Sequence, residues 1–137
     1  MAKKAPKNSD RQVITTEVVQ AQTFTYQEVL DESLKYFGND ELAATTWMNK
    51  YAMKNKSGEY VELSPDGMHK RMAKEFARIE TKHGHPSDLG AKTALLSEYG
   101  QQRHPMNEDD IYDLFREFKY VIPQGSVMAA LGNPHML

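Results

Sequence analysis

The sequence predicts a mainly α fold: a small helical domain of about four main helices, with a short extended segment and an extended C-terminal arm. Three observations predict it. Apolar residues recur at three- and four-residue steps in separate stretches, as amphipathic helices require. Helix-start signals stand ahead of these stretches, and glycine or proline closes several of them. A length of 137 residues suits one domain with a modest core.

Residues 1–22 read as a flexible basic tail, with Lys3, Lys4 and Lys7 among small and polar side chains. Within it, Val13-Ile14-Thr15-Thr16-Glu17-Val18-Val19 is a β-prone run without a clear partner. Thr25 and Glu28 then form a capping box, each side chain satisfying the other residue's unpaired backbone donor. The spacing of Tyr26, Val29, Leu30, Leu34 and Phe37 predicts a helix over about 26–37, stopped by Gly38. Asn39 or Asp40 caps a second helix of about 40–53, with Leu42, Ala43, Thr46, Trp47, Lys50 and Tyr51 on a mixed face. The pair makes an αα-hairpin.

A turn over 54–58 leads to the extended piece Glu59-Tyr60-Val61-Glu62-Leu63. Ser64-Pro65 is the best helix start in the chain, an N-cap followed by a first-turn proline. The third helix, about 65–83, places Met68, Met72, Phe76 and Ile79 inside, with His69, Lys70, Arg71, Lys74, Glu75, Arg78 and Glu80 largely outside. Glycines and prolines interrupt 84–106 around a short helix of about 88–99 carrying Leu89, Leu95 and Leu96. Asn107 with Glu108, Asp109 and Asp110 starts the fourth main helix, whose stripe of Ile111, Leu114, Phe115 and Phe118 runs to about 119. Tyr120-Val121-Ile122-Pro123 is extended, and a tail follows from Gln124.

Composition removes several function classes. Seventeen Lys and Arg against nineteen Asp and Glu give a formal charge of -2, so no global basic field points to nucleic acid. No window approaches the roughly 20 apolar residues of a spanning helix, and the N-terminus lacks a signal peptide's apolar stretch, which places the chain in the cytoplasm by default. The absence of cysteine removes disulfides, thiolate nucleophiles and Cys-based zinc sites.

The candidate constellations are weak. His83 and His85, with His104, lack an adjacent carboxylate set and read as a solvated turn rather than a metal site. Ser126 follows Gly125 without a Gly-x-Ser-x-Gly elbow, and no acid–base set can be placed around it. No Gly-Lys-Ser/Thr ending supports a P-loop. Lys70, Arg71, Lys74 and Arg78 form a basic stripe that reads first as a solvated face, and second as a surface for an acidic protein or nucleic acid. The residues alone therefore describe a soluble helical domain without an active site of its own.

Longer strings carry more. Lys35-Tyr36-Phe37-Gly38-Asn39-Asp40-Glu41-Leu42-Ala43-Ala44, followed by Trp47-Met48-Asn49-Lys50-Tyr51-Ala52, resembles the N-terminal domain of ribonucleotide reductase large chains. The run from Glu62 to Glu80 is similar to the family's next helix, and Phe118 to Ser126 to its entry into the catalytic barrel. The resemblance spans about 26–134 and implies three parts: the tail 1–22, a helical reductase N-terminal domain over 23–122, and an incomplete start of the barrel over 123–137.

The same resemblance implies that Ser126 helps hold substrate near its phosphates. It also implies an arm of Pro123, Gln124, Gly125, Val127, Met128, Gly132 and Asn133 that contacts the barrel. The family often has proline where Val127 stands. Its redox cysteines follow shortly after the Gly-Asn pair matching Gly132 and Asn133, beyond Leu137, so the expected catalytic set in this chain is none, the metal set is none, and the chain is a non-catalytic piece of the enzyme. No ATP-binding cone is recognisable in 1–25, and 84–105 looks like an insertion. The implied partner is a separately encoded C-terminal chain carrying the barrel, with a ribonucleotide bound only in the assembly and no membrane or nucleic acid. A chain truncated before the first catalytic cysteine fits the same residues. No cofactor is expected in this chain; the assembled enzyme's radical source is left open between adenosylcobalamin and a metal-bearing small subunit. The alternative is a stand-alone helical module that binds protein or nucleic acid.

Overall fold

The computed structural model describes residues 22–83 and 97–134. Six α-helices follow in order: α1 (Tyr26–Tyr36), α2 (Glu41–Lys50), α3 (Pro65–His83), α4 (Glu98–Gln102), α5 (Glu108–Phe115) and α6 (Gly125–Ala130). The mainly helical expectation holds. The β-prone run at 13–19, most of the expected helix at 88–99 and His85 lie outside the described residues.

The start signals act as the sequence predicts. Thr25 and Glu28 close the capping box of α1, Asp40 accepts the Ala43 N–H at the start of α2, and Pro65 opens α3. Asn107 caps α5 by accepting the Asp110 N–H on its side chain, while its own N–H donates to the Asp110 carboxylate. α2 ends at Lys50, short of the expected 53, because the chain is drawn aside. The Met53 N–H donates to Glu62 Oε2 at 2.9 Å, and Val61 N–H donates to the Met53 carbonyl at 3.0 Å. A tight hairpin results, with Lys54 and Phe24 both bridging Tyr60 in antiparallel fashion. This is the short extended segment.

α3 is the central element; α5 packs along it, while α1 and α2 pack on each other. Val29, Trp47, Met48, Met68, Met72, Ala73, Ile111, Phe115 and Met128 form one buried cluster. Methionine's unbranched thioether fills the irregular gaps between short helices, and the Trp47 indole N–H points at Met68 Sδ, 3.4 Å away. No helix among the described residues is long and apolar enough to cross a membrane.

Four sequence expectations need correction. His69, expected on the outer face of α3, is buried, and the side chain of Arg71, expected there too, is only 8% exposed. Position 69 lies three residues before Met72, and position 71 three after Met68, so both fall on the apolar stripe. Ile79, expected inside, is 37% exposed because it lies towards the far end of α3, past Phe115's contact at Phe76. The fourth main helix stops at Phe115 rather than 119, since Glu117 and Phe118 take left-handed φ values of 56° and 53°. Such residues cost about 1 kcal/mol each. Here the turn swings Phe118 inward, edge-on to His69 at 4.6 Å and stacked on Phe37 at 6.0 Å, and lets Glu117 N–H donate to the Tyr36 hydroxyl at 2.9 Å. Finally, the arm expected to be extended is so only up to Gln124; residues 125–130 form α6.

Candidate functional site

Ser126 and its neighbours are set by a helix too short to stand alone. α6 has 6 residues, no side-chain cap and few internal bonds, so tertiary partners must hold it. Three do. Met128 is buried in the main core with Val127 and Leu131 packed beside it. Gly125 lies flat against Tyr51, where an added Cβ would meet Tyr51 Cε1 at 3.1 Å. The third partner is Arg71.

Arg71 Nη2 donates to the Met128 carbonyl at 2.8 Å, and Nη1 donates to the Leu131 carbonyl. These oxygens belong to the last turn of α6, where carbonyls lack helical partners and a positive charge is favoured. The opposite edge of the guanidinium meets Glu62: Nε lies 2.6 Å from Oε1, and Nη2 3.5 Å from Oε2. The pair is almost dry, with side chains 8% and 5% exposed. Glu62 in turn accepts the Met53 N–H, so one buried ion pair joins the hairpin, α3 and α6. Gly132 completes the seat at φ 70°; a Cβ there would come within 3.0 Å of Arg71 Cγ and 3.2 Å of the Arg71 carbonyl.

This arrangement sorts the residues expected in the arm. Gln124 and Ser126 are exposed, as is Gly132; Pro123, Gly125, Val127 and Asn133 are half-buried, and Met128 points into the domain. Ser126 borders a shallow depression floored by Val127, Ala130 and Leu131. Sequence reasoning missed the clamp, Glu62 and Arg71. A signal existed: Glu62 stands between Val61 and Leu63, and Arg71 on the Met68–Met72 stripe, which marks both as charges in apolar company.

The basic stripe is not an open cationic surface. Arg71 is consumed by the clamp, Lys70 pairs with Asp66 at 2.7 Å, and Arg78 pairs with Glu75 at 2.7 Å. Lys74 is exposed, beside a cleft of about 560 Å³ that also borders Phe24, Met53, Leu63 and Arg78.

A second polar cluster lies under the aromatic residues. Tyr36 Oη lies 3.3 Å from His69 Nδ1, and Tyr112 donates its hydroxyl proton to Asp66. Burial pushes His69 down to about 4, against a weaker pull from Asp66, so the ring is neutral. Nδ1 faces the Tyr36 hydroxyl, and Nε2 has no hydrogen-bond partner among the described residues. Burial works to raise the Asp66 carboxyl, but hydrogen bonds from Lys70 and Tyr112 hold it below its ordinary value. The bond to Asp66 and burial push the Tyr112 hydroxyl up to about 12. His69 is 0% exposed, so its ring cannot meet a substrate without opening the core. Among the described residues, no group of three or more His, Asp or Glu side chains could hold a metal ion.

Compared with models of protein families, residues 37–135 match the one described as ribonucleotide reductase, all-alpha domain. No curated protein and no solved structure matches the chain.

Proposed function

Because the chain belongs to the ribonucleotide reductase family through its all-alpha domain, the N-terminal region of the large subunit, we propose that it completes a separately encoded chain carrying the catalytic barrel. The assembly reduces ribonucleotides to deoxyribonucleotides for DNA synthesis in the cytoplasm. This chain's part is structural: it seats the arm 123–134 and presents Ser126 towards the substrate's phosphates. The observation that carries the reading is the extent of the family match, which runs through α1's end, the core and the whole of α6. The outward placement of Gln124 and Ser126 on a clamped helix supports it. With no cysteine in its sequence, the chain needs the partner for any thiol chemistry. Adenosylcobalamin or a metal-bearing small subunit would likewise enter through the assembly.

The rival reading, a stand-alone binding module working through the basic stripe, loses support from the internal pairing of Lys70, Arg71 and Arg78. Co-purification of this chain with the polypeptide encoded downstream tests the proposal. A stable complex is expected, and it persists when Lys74 is changed to Glu. Two chains that elute separately at micromolar concentration would contradict it.

A further inference from the structure

We propose that Arg71, held by Glu62, is the positioning residue for Ser126: it fixes the last turn of α6 and thereby sets where the first turn meets the nucleotide. The inference rests on the reading of Ser126 given above. Three observations carry it. A guanidinium only 8% exposed directs two donors to main-chain carbonyls at Met128 and Leu131 rather than to water. Its remaining edge is taken by Glu62, whose other oxygen accepts Met53 N–H, so the guanidinium is held from both sides. Gly132 leaves the space through which the chain passes over Arg71.

With only 6 residues, α6 has few bonds of its own, so loosening its last turn leaves the first held only by Gly125 against Tyr51 and by Met128 in the core. Ser126 stands two residues before Met128, whose carbonyl Arg71 holds. Arginine suits the task because its planar fork reaches two carbonyls and a carboxylate at once; lysine offers a point charge on a flexible stem and cannot span them. Arg71 touches no substrate in this scheme. It acts through α6.

The test uses the full chain together with its barrel-bearing partner, with cytidine diphosphate and cytidine triphosphate each supplied as substrate. Arg71→Lys keeps the charge beside Glu62 but loses the fork. It is expected to raise KM about ten-fold with kcat little changed, because binding common to ground and transition states is what weakens. Ser126→Ala should raise KM to a similar extent, and the double variant should be no worse than either single one. Additive effects, or a fall in kcat alone with KM unchanged, would overturn the positioning role and leave Arg71 as a stability residue.

Hydrogen exchange on the same samples separates this inference from the reading beneath it. Arg71→Lys should speed exchange at the Met128 and Leu131 amides at least ten-fold, while the Trp47 and Met72 amides stay protected. Unchanged exchange at the arm overturns the clamp, whatever the kinetics. A Ser126→Ala enzyme with wild-type KM overturns the placement of Ser126 and the functional half of this inference, and exchange then judges the clamp by itself. Glu62→Gln/Arg71→Met, which removes both charges without stranding either, should also loosen the arm and keeps the test open if a single variant folds poorly.

Discussion

The bundle of α1, α2 and α3 and the stretch from Arg116 to Pro134 are held by different forces. In the bundle, Trp47, Met48, Met68 and Met72 are at most 2% exposed, and burial of large apolar side chains supplies the stabilisation. In the C-terminal stretch, Met128 and Phe118 contribute packing, but geometry is set by polar bonds from the bundle to the backbone: Tyr36 to Glu117, and Arg71 to Met128 and Leu131. Apolar contacts tolerate small shifts, whereas a forked hydrogen bond does not. The difference teaches where directional bonds rather than packing fix the backbone, and it falls on the segment that carries Ser126.

The largest effects should divide the two regions. Trp47→Ala is expected to cost about 3–5 kcal/mol through lost burial and a residual cavity. Because the cavity lies at the heart of the bundle, urea unfolding followed at any position should shift together. Arg71→Met is expected to cost about 3–5 kcal/mol, since it strands the Glu62 carboxylate in a dry site. Its first sign should be rapid amide exchange in α6 ahead of global unfolding. If both variants loosen both regions alike, the distinction drawn here is wrong.

Acid should weaken the junction between the regions. His69 titrates near 4 in the fold and at an ordinary value of 6.5 in the unfolded chain, with Phe115 stacked on the ring and Phe118 edge-on to it. Between those values the unfolded chain binds a proton that the native ring refuses. Stability therefore falls as pH drops from 6.5 to 4, by about 3 kcal/mol, and this contribution levels off below that range. Urea midpoints at several pH values, with the His69 ring resonances followed by NMR, check the size and the residue. Stability flat from pH 7 to 4 would show that the ring is not buried as described.

Smaller changes sharpen the contrast. Gly132→Ala places a Cβ against Arg71 at a positive φ and should cost about 2 kcal/mol, concentrated in the arm. Asn107→Ala removes the cap of α5 and should cost about 1 kcal/mol, read as a lower melting temperature with α6 exchange unchanged.

The same contrast explains what the sequence made legible. The bounds of α3 were readable, because Ser64-Pro65 and a 3.6-residue apolar period are local signals, but the inward turn of His69 and Arg71 was not. Capping by Thr25, Asp40 and Asn107 was readable for the same reason. The end of α5 was not, because the left-handed pair Glu117 and Phe118 is stabilised by Tyr36, Phe37 and His69, some eighty residues away in the case of Tyr36. α6 was hidden likewise: Gly-Ser-Val-Met-Ala-Ala has little helical signal until Arg71 supplies the carbonyls' partner. Ser126 entered through resemblance, not through any local pattern of acid, base and nucleophile.

The most direct test of the central claim is reductase activity reconstituted from purified chains. The barrel-bearing polypeptide alone should produce no deoxyribonucleotide, this chain alone none, and the two together should turn over, with product formation saturating as this chain is titrated in. Full activity from the barrel chain with this chain omitted would contradict the account.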